Sequence, residues 1–331
     1  VKELAQQTGV QINFENSSYS PQQDNIYKIL ELTTSWFQEN LKIKNNDCQK
    51  YLETRLLSKE TINSFRLGYS YNSKSSLYSF LKGHSFQDEE LLKSNVVKLD
   101  KNNKIRDFFY KRLIFPIFNL QDKVVGFGGR VLDNSNPKYI NSPESVFFKK
   151  RNLLYNLQLA KKTARQKKNL LVCEGYMDVI SLYQMGIKSI VAPLGTSLTE
   201  DQLLLTWRYV DKPTIMFDGD TAGIKASYKA ALMSLPHLLP NKFLQFIKLP
   251  YNLDPDSYLK KYDLDDLIKI LKKPISLVEF IFNESSQTIE FNNADQKISY
   301  DKYLDDLIAN IKDKKIQYFY KNEFKSLFFK K

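Results

Sequence analysis

The sequence predicts an α/β protein built around a parallel sheet that is covered by helices. Between Leu170 and Lys248, short apolar segments alternate with amphipathic segments of helical length. Strands separated in this way pair in parallel, because a parallel pair needs a long crossover connection. The pattern is mixed before this region and mainly helical after Pro250. We therefore expect a mixed α+β N-terminal subdomain at 1–167, the sheet domain at 168–250 and a helical C-terminal subdomain at 251–331.

The N-terminal subdomain is expected to begin with helices and to contain a hairpin. Residues 1–66 have helical character, with apolar residues recurring at helical spacing from Ile26 to Leu41. Two apolar runs from Leu113 to Val131 flank a turn at 119–123, which is typical of a β-hairpin. A loop is then expected at 134–143. Residues 149–168 are expected to form a basic helix and a connector.

The sheet domain is predicted to contain four short strands with helices between them. The strands are expected at 170–173, 189–193, 214–217 and 243–248. The helices are expected at 176–185, from Thr199 onward, and at 222–235, followed in the C-terminal part by helices at 264–271, 277–282 and 301–328.

The net charge of +12 comes from one stretch of the chain. Residues 101–168 contain 16 Lys and Arg against 4 Asp and Glu, and the remaining residues balance. A confined excess predicts an anionic partner, with nucleic acid as the first candidate. For the run from Lys161 to Lys168, a solvated connector explains the charge equally well.

The cysteine and histidine content excludes two classes of protein. Two cysteines, Cys48 and Cys173, and two histidines are too few for a disulfide scaffold or a Cys/His zinc site. Cys173 lies in an apolar run, where we expect a buried thiol. No apolar run is long enough for a membrane helix. A reducing, cytoplasmic setting without a membrane partner is therefore expected.

Acidic residues follow three of the predicted strands. Glu174 follows the first strand, Asp218 and Asp220 follow the third, and Asp254 and Asp256 come after a turn beyond the fourth. Because ligands bind at the carboxyl ends of strands in an open parallel sheet, these side chains are expected to meet at one edge. Asp178, one helical turn after Glu174, is expected to face the same cleft.

Clustered carboxylates repel one another, and a divalent cation relieves that repulsion. Mg²⁺ or Mn²⁺ suits oxygen ligands, and Mg²⁺ typically takes one or two carboxylates together with substrate phosphates. That arrangement serves phosphoryl and nucleotidyl transfer. An Asp-x-Asp or Glu-Gly pair by itself is more often a solvated turn. The joint placement of these pairs after strands of one sheet favours a metal site.

Several segments resemble a known family. LVCEGYMDVISLYQMGIKSIVAPLGT at 171–196 and IMFDGDTAGIKAS at 215–227 are similar to a Toprim domain, which primases, topoisomerases and some nucleases share. The resemblance narrows to DnaG-type bacterial primases, over nearly the whole chain, through three further segments. They are RLIFPIFNLQDKVVGFGGRVL at 112–132, PKYINSPES at 137–145 and LDPDSYLKKY at 253–262.

The resemblance implies roles for individual residues. Catalytic and principal metal-binding carboxylates are implied at Glu174, Asp218 and Asp220, with further metal-site acids at Asp178, Asp254 and Asp256. Contacts to nucleotide or template are implied at Arg130, Lys138, Asn141, Lys150, Arg112 and Arg55. The sequence departs from the family where glycine is common after Arg55 and after Leu-Tyr, since Leu56 and Asn156 stand there.

The resemblance also implies partners. They are single-stranded DNA as template, ribonucleoside triphosphates, an RNA primer, and a replicative helicase that binds a C-terminal module of the family. Neither that module nor the family's zinc-binding module is recognisable in this sequence, so zinc and helicase contacts are expected to lie outside it. We expect a monomer that makes RNA primers by Mg²⁺-dependent nucleotidyl transfer, with Mn²⁺ as a substitute.

Two rival functions remain open at this point. A Toprim topoisomerase or nuclease is one, although a topoisomerase needs a nucleophilic tyrosine in a separate cleavage domain. A non-catalytic nucleic-acid-binding module is the other, and it would lack a divalent-cation site. Two local features are also open. The glycines from Gly126 to Gly129 suit a phosphate loop or a close approach within a strand. Aromatic residues such as Phe108, Phe109, Tyr110 and Tyr139 suit base stacking or ordinary packing.

Overall fold

The computed structural model describes residues 21–44, 46–71, 76–195, 197–287, 289, 291 and 293–330. The helical prediction for residues 1–20 lies outside the described residues. The fold contains a four-stranded sheet, a six-stranded sheet and a two-stranded ribbon, with helices around them. This architecture confirms the predicted α/β class. Within the described ranges, no helix is both long and apolar enough to cross a membrane.

The first helices of the chain begin where the sequence supplies capping residues. They are α1 (Pro21–Lys42), α2 (Asp47–Thr54), α3 (Lys59–Ser64), α4 (Leu77–Gly83) and α5 (Asp88–Lys93). The side chains of Asn46, Ser58 and Ser76 accept backbone N–H groups at the starts of α2, α3 and α4. These bonds satisfy donors that have no partner within the helix.

The N-terminal sheet is antiparallel and contains the predicted hairpin. Its region contains β1 (Gly68–Tyr69), β2 (Val97–Leu99), β3 (Ile105–Asp107), β4 (Arg112–Phe118), β5 (Val124–Val131) and β6 (Tyr139–Asn141). The sheet order is β1-β4-β5-β6, and β2 pairs with β3 in the ribbon. Strand β6 lies inside the segment predicted as a loop, so that prediction was wrong there. Its pairing with β5 is a tertiary contact that no local pattern announces.

The second sheet has the predicted parallel centre and two unpredicted edges. Its strands are β7 (Leu154–Tyr155), β8 (Leu171–Val172), β9 (Ile190–Pro193), β10 (Thr214–Ile215), β11 (Gln245–Phe246) and β12 (Ile275–Ser276). The order is β12-β11-β10-β8-β9-β7, with the four central strands parallel and both edge strands antiparallel. Each edge strand has only two residues, which is too short for a periodic signal.

The remaining helices cover this second sheet. They are α6 (Leu157–Lys167), α7 (Tyr176–Gln184), α8 (Glu200–Thr206), α9 (Thr221–Ser234), α10 (Pro255–Lys261), α11 (Leu264–Leu271), α12 (Leu277–Ser285), α13 (Ala294–Ala309) and α14 (Lys314–Lys330). The single helix predicted at 301–328 is two helices. The carboxylate of Asp313 accepts the N–H groups of Lys315 and Ile316, and such local bonds compete with a continuous helix.

The basic segment 149–168 also differs from its prediction. Lys150–Asn152 forms a 3₁₀ turn, strand β7 follows, and only then does helix α6 begin. Asn156, between β7 and α6, has a φ of 68°, so the chain turns sharply at this point.

Apolar cores on the two faces of the second sheet explain its position. One core joins the sheet to the C-terminal helices, and the rings of Phe246 and Phe280 stack there at 4.0 Å. The other joins it to the N-terminal sheet. There the Tyr176 ring lies 4.8 Å from Phe115 and 4.6 Å from Tyr155. The carboxyl ends of the parallel strands therefore open beside strands β5 and β6.

Candidate active site

A cavity of about 450 Å³ lies at the junction of the two sheets. Its size is typical of a small-ligand pocket. The charged and amide residues that line it are Arg55, Arg130, Lys138, Asn141, Glu174, Asp178, Asp218, Asp254 and Asp256. Acidic residues from the second sheet and basic residues from the N-terminal part thus face one space. The predicted clustering at one sheet edge is observed.

Glu174 and Asp218 are fixed to each other at the centre of the acidic wall. Each follows a strand by two or three residues, after β8 and β10 respectively. The backbone N–H of Asp218 donates a hydrogen bond of 3.1 Å to Glu174 Oε1. Gly223 packs against this pair so closely that a Cβ there would lie 2.2 Å from the Asp218 carbonyl oxygen and 2.7 Å from Glu174 Oε1. Only glycine fits that position.

Asp220 and Asp254 are held by the helices that they begin. Asp220 Oδ1 accepts the N–H of Gly223 at 2.7 Å, and Asp254 Oδ1 accepts the N–H of Ser257 at 2.6 Å. A carboxylate at a helix N-terminus is also stabilised by the helix dipole. Asp254 lines the cavity, whereas Asp220 stands just outside its lining.

The acidic wall disfavours its own negative charge. Burial raises the pKa of Glu174. The hydrogen bond from the Asp218 backbone lowers this pKa in part, and the charge of Asp220 raises it further. Burial raises the pKa of Asp218 to about 7, with further contributions from Glu174, Asp254 and Asp220. The Oδ1 atom of Asp218 is buried and has no hydrogen-bond partner among the described residues. A cation bound at this edge would relieve the unfavourable charge of this group.

The donor set fits a divalent cation that substrate helps to hold. Among the described residues, no three His, Cys, Asp or Glu side chains are arranged to hold a metal by themselves. Hard cations such as Mg²⁺ nevertheless bind through one or two carboxylates together with substrate phosphates. The orphaned oxygen of Asp218, beside Glu174, meets that requirement.

Asp178 and Asp256 are engaged differently from the other acids. The two oxygens of buried Asp178 accept the N–H groups of Gly175, at 3.1 Å, and of Asp256, at 3.4 Å. Burial and then the charges of Asp218 and Asp254 raise the Asp178 pKa. The first bond caps the start of α7, and the second ties it to the start of α10.

Both oxygens of the Asp256 carboxylate are also occupied. Oδ1 accepts Ser181 Oγ at 2.7 Å, and Oδ2 accepts Lys260 Nζ at 2.7 Å and the guanidinium of Arg55. Burial raises its pKa, but the bonds from Lys260 and Ser181 and the Arg55 charge outweigh burial, so the net pKa is lowered. The carboxylate oxygens of Asp178 and Asp256 are therefore engaged in hydrogen bonds and ion pairs within the wall.

The residues implied to contact nucleotide or template divide into two groups. Arg130, Lys138, Asn141 and Arg55 line the cavity, and Lys150 and Arg112 do not. Arg112 is only 8% exposed, and its Nη1 donates to the carbonyl oxygens of residues 129, 137 and 138. Its guanidinium is thus bound inside the N-terminal sheet. Lys150 lies in the 3₁₀ turn, and Gln202 Nε2 donates to its carbonyl oxygen at 3.0 Å.

Asn141 connects the two sheets at the cavity. Its Nδ2 donates to the Leu194 carbonyl oxygen at 3.0 Å, and its Oδ1 accepts the Tyr176 hydroxyl at 2.6 Å. Gly128 makes room for the same tyrosine, because a Cβ there would lie 2.8 Å from the Tyr176 ring. Close approach within a strand therefore explains Gly128 better than a phosphate loop does.

The aromatic residues also divide. Phe109 is buried in the core, and Phe108 packs beside it. Tyr110 is exposed, and Tyr139 lines the cavity. Sequence reasoning missed Tyr51, whose ring lies 5.2 Å from the Arg55 guanidinium carbon and 4.7 Å from that of Arg130. The available signal was that Tyr51 precedes Arg55 by four residues, one turn of a helix.

Comparison with known proteins places these features in a class. A family profile described as the N-terminal domain of the DNA primase catalytic core matches residues 36–161, and a Toprim-like profile matches residues 171–259. The fold and the acidic edge thus define a Toprim-domain protein with a primase-type N-terminal part. A structure of the DnaG catalytic core is 31% identical, with a TM-score of 0.81, and the match covers 90% of this chain and 96% of that one. The chain belongs to the DnaG primase family.

Other matches agree with this assignment. A primase domain from Pseudomonas aeruginosa is 30% identical, with a TM-score of 0.84, over 91% of this chain and 95% of that one. The DNA primase of Clostridium acetobutylicum is 34% identical over 316 residues, which is 94% of this chain and 52% of that protein. The Rickettsia prowazekii DNA primase is 35% identical over 97% of this chain and 54% of its own length. The chain thus spans about half the length of these curated relatives.

Proposed function

We propose that this chain is the catalytic core of a DNA primase, which synthesises short RNA primers on single-stranded DNA during replication. The observation that carries the proposal is the acidic edge at Glu174 and Asp218, which faces Arg130 and Lys138 across one cavity. A cavity with both charges suits a reaction between anionic substrates at a cation. A DnaG catalytic domain that is 30% identical to this chain has a structure bound to single-stranded DNA, which supports the proposed template.

The proposed cation is Mg²⁺, with Mn²⁺ as a substitute. Glu174, Asp218 and Asp220 are the residues proposed to hold it, and Asp254 adds negative charge at the same edge. The chemistry that a divalent cation supplies at such a site is activation of the attacking hydroxyl and neutralisation of the triphosphate. Asp178 and Asp256, also implied as metal-site acids, are proposed to position the wall through the bonds described above.

The proposed reaction joins a 3′-hydroxyl to the α-phosphorus of a ribonucleoside triphosphate and releases pyrophosphate. Arg130 and Lys138 bind phosphate oxygens of nucleotide or template, because both line the cavity opposite the acids. Tyr139, partly exposed beside Arg130, offers a ring face to a base. Asn141 keeps the basic and acidic walls in register through its bonds to the second sheet. Arg112 supports the basic wall from outside the cavity through its bonds to the carbonyl oxygens of residues 129, 137 and 138, and Lys150 remains a proposed template contact outside the cavity.

The proposal extends to organisation and setting. The division into 1–167, 168–250 and 251–331 remains a proposal, as does a replicative helicase as partner of the whole protein through the family's C-terminal module. A cytoplasmic location is proposed because the free thiols of Cys48 and Cys173 suit a reducing compartment.

Primer synthesis on single-stranded DNA with four ribonucleotides and Mg²⁺ or Mn²⁺ tests the proposal. Glu174→Gln and Asp218→Asn should each lower synthesis by about 100-fold or more, because both remove a cation ligand. Asp306→Asn is the matched control, because it removes a carboxylate charge at an exposed position of α13. Variants at Glu174 and Asp218 that kept full activity would overturn the assigned site. Relaxation of supercoiled DNA without primer synthesis would favour the topoisomerase rival.

A further inference from the structure

Two arginines from distant parts of the chain contact one tyrosine ring at the cavity. Arg55 caps the end of α2, and Arg130 belongs to β5. Their guanidinium carbons lie 5.2 Å and 4.7 Å from the centre of the Tyr51 ring. Tyr51 lies in α2, one helical turn before Arg55. Both guanidinium groups line the cavity.

The two arginines differ in how their charge is balanced. Arg55 is ion-paired with buried Asp256. Arg130 takes part in no ion pair within the described part of the chain, and its buried Nε has no hydrogen-bond partner. The Nη1 of Arg130 donates to the Tyr139 hydroxyl at 2.9 Å, and its guanidinium carbon lies 5.4 Å from the Tyr139 ring. Two aromatic rings rather than a carboxylate therefore hold Arg130.

This kind of support leaves the charge available. A carboxylate partner fixes a guanidinium but neutralises it, whereas an aromatic face attracts the cation through its quadrupole and keeps the net charge. The planar guanidinium has five donors, and Arg130 uses one of them on Tyr139. Its remaining Nη donors and its charge can meet a phosphate bidentately.

We propose that Tyr51 is a positioning residue whose ring holds Arg130 beside Arg55, so that the two guanidinium groups form one phosphate-binding wall. The ligand class is the polyphosphate of a nucleotide. That identification rests on the proposed function, but the positioning of Arg130 by the ring does not. Without the ring, the guanidinium of Arg130 would lose its fixed position, and the wall would lose its preorganised geometry.

Binding of inorganic tripolyphosphate, measured by calorimetry in metal-free buffer, tests the proposal without catalysis. Tyr51→Phe keeps the ring and should bind like the wild type. Tyr51→Leu keeps an apolar side chain without a π face and should bind about tenfold more weakly. Tyr209→Leu is the matched control, because Tyr209 contacts Arg165 of α6 at 4.8 Å outside the cavity, and it should bind like the wild type.

Steady-state kinetics separates positioning from simple packing. Tyr51→Leu should raise the KM for ribonucleotides about tenfold while kcat stays within about twofold, and Tyr51→Phe should restore the KM. If Tyr51→Leu does not fold, Tyr51→Met carries the same prediction. Wild-type affinity in the folded Leu or Met variant, or equal loss in the Phe variant, would overturn the proposal. Wild-type protein that binds tripolyphosphate as expected but makes no primers would overturn the proposed function and leave the role of Tyr51 standing.

Discussion

The backbone N–H of Asp218 donates a hydrogen bond of 3.1 Å to Glu174 Oε1, although the two residues are 44 positions apart in the sequence. The bond exists because β8 and β10 are adjacent parallel strands that end at the same edge. It holds Glu174 in place, while Asp218 Oδ1 is buried and has no hydrogen-bond partner within the described ranges. The carboxylate charge of Asp218 is therefore unfavourable in the folded protein when no cation is bound.

Asp218→Asn should stabilise the metal-free protein at pH 8. The folded pKa of Asp218 is raised to about 7, so its folded carboxyl keeps a proton that the unfolded chain releases at lower pH. Stability is therefore lost as pH rises from about 4 to about 7, and the loss is complete at pH 8. Asparagine does not ionise, so Asp218→Asn removes this loss. The expected gain in the free energy of unfolding is on the order of 1 kcal/mol after solvent screening. Denaturant unfolding in chelator measures the gain.

The same measurement has an internal control. The gain from Asp218→Asn should shrink as pH falls toward 4, and Asp306→Asn should change stability little at either pH. A stability loss in Asp218→Asn at pH 8 would show that its carboxylate is satisfied in the folded protein, contrary to the account.

Gly128→Ala should destabilise the protein by about 1–3 kcal/mol, the usual range for overpacking. The added Cβ would lie 2.8 Å from the Tyr176 ring, which is itself fixed between Phe115 and Tyr155. Thermal and urea unfolding measure the loss. Gly83→Ala is the matched control, since no atom of the described residues lies within 4 Å of a Cβ there, and it should be neutral or slightly stabilising. Equal effects at both positions would refute the close-approach explanation.

Leu56→Gly should stabilise the protein by about 0.5–1 kcal/mol. Leu56 has a φ of 54° and is 80% exposed, so it bears the strain of a left-handed conformation with little packing to lose. Its N–H bonds to the Glu53 carbonyl, and that of Leu57 bonds to the Leu52 carbonyl, which is the Schellman pattern that favours glycine. Leu56→Ala keeps the strain and should gain nothing. Urea unfolding of the wild type and of both variants measures the difference. Equal stability of the Gly and Ala variants would contradict the proposed strain at Leu56.

Arg112 and Lys138 should respond to mutation in opposite ways. Arg112→Met removes the donor to one buried and two part-buried carbonyl groups, so unfolding free energy should fall by about 1–3 kcal/mol while the ribonucleotide KM stays near wild type. Lys138→Ala changes an exposed residue of the cavity, so the KM should rise with little change in stability. The KM and the free energy of unfolding are measured on the same preparations of each variant. A raised KM in folded Arg112→Met, with stability unchanged, would restore Arg112 to the substrate site.

The sequence predicted the part of the site that depends on strand ends. Glu174 and Asp218 follow apolar runs that had to be strands of one parallel sheet, so their meeting follows from topology alone. The departures at Leu56 and Asn156 also had structural meaning, since both residues have positive φ where glycine is common in the family.

Contacts between distant elements were beyond sequence reasoning. Strand β6, the ring of Tyr51 and the ion pair from Arg55 to Asp256 each join segments that no periodic pattern relates. For the same reason, Arg112 looked like its basic neighbours. Its contacts with backbone carbonyl groups become apparent only when β4, β5 and the segment before β6 are assembled.

Mn²⁺ uptake tests the central claim most directly, because it measures the site without relying on catalysis. Free Mn²⁺ is followed by electron paramagnetic resonance as wild type, Asp218→Asn and Asp306→Asn are titrated at pH 8, with tripolyphosphate present to supply the phosphate ligands of the substrate and a protein-free titration as the reference. The account predicts that wild type and Asp306→Asn bind Mn²⁺ alike, and that Asp218→Asn binds at least about tenfold more weakly. Equal uptake by Asp218→Asn and wild type, or no uptake by any of the three, would contradict it.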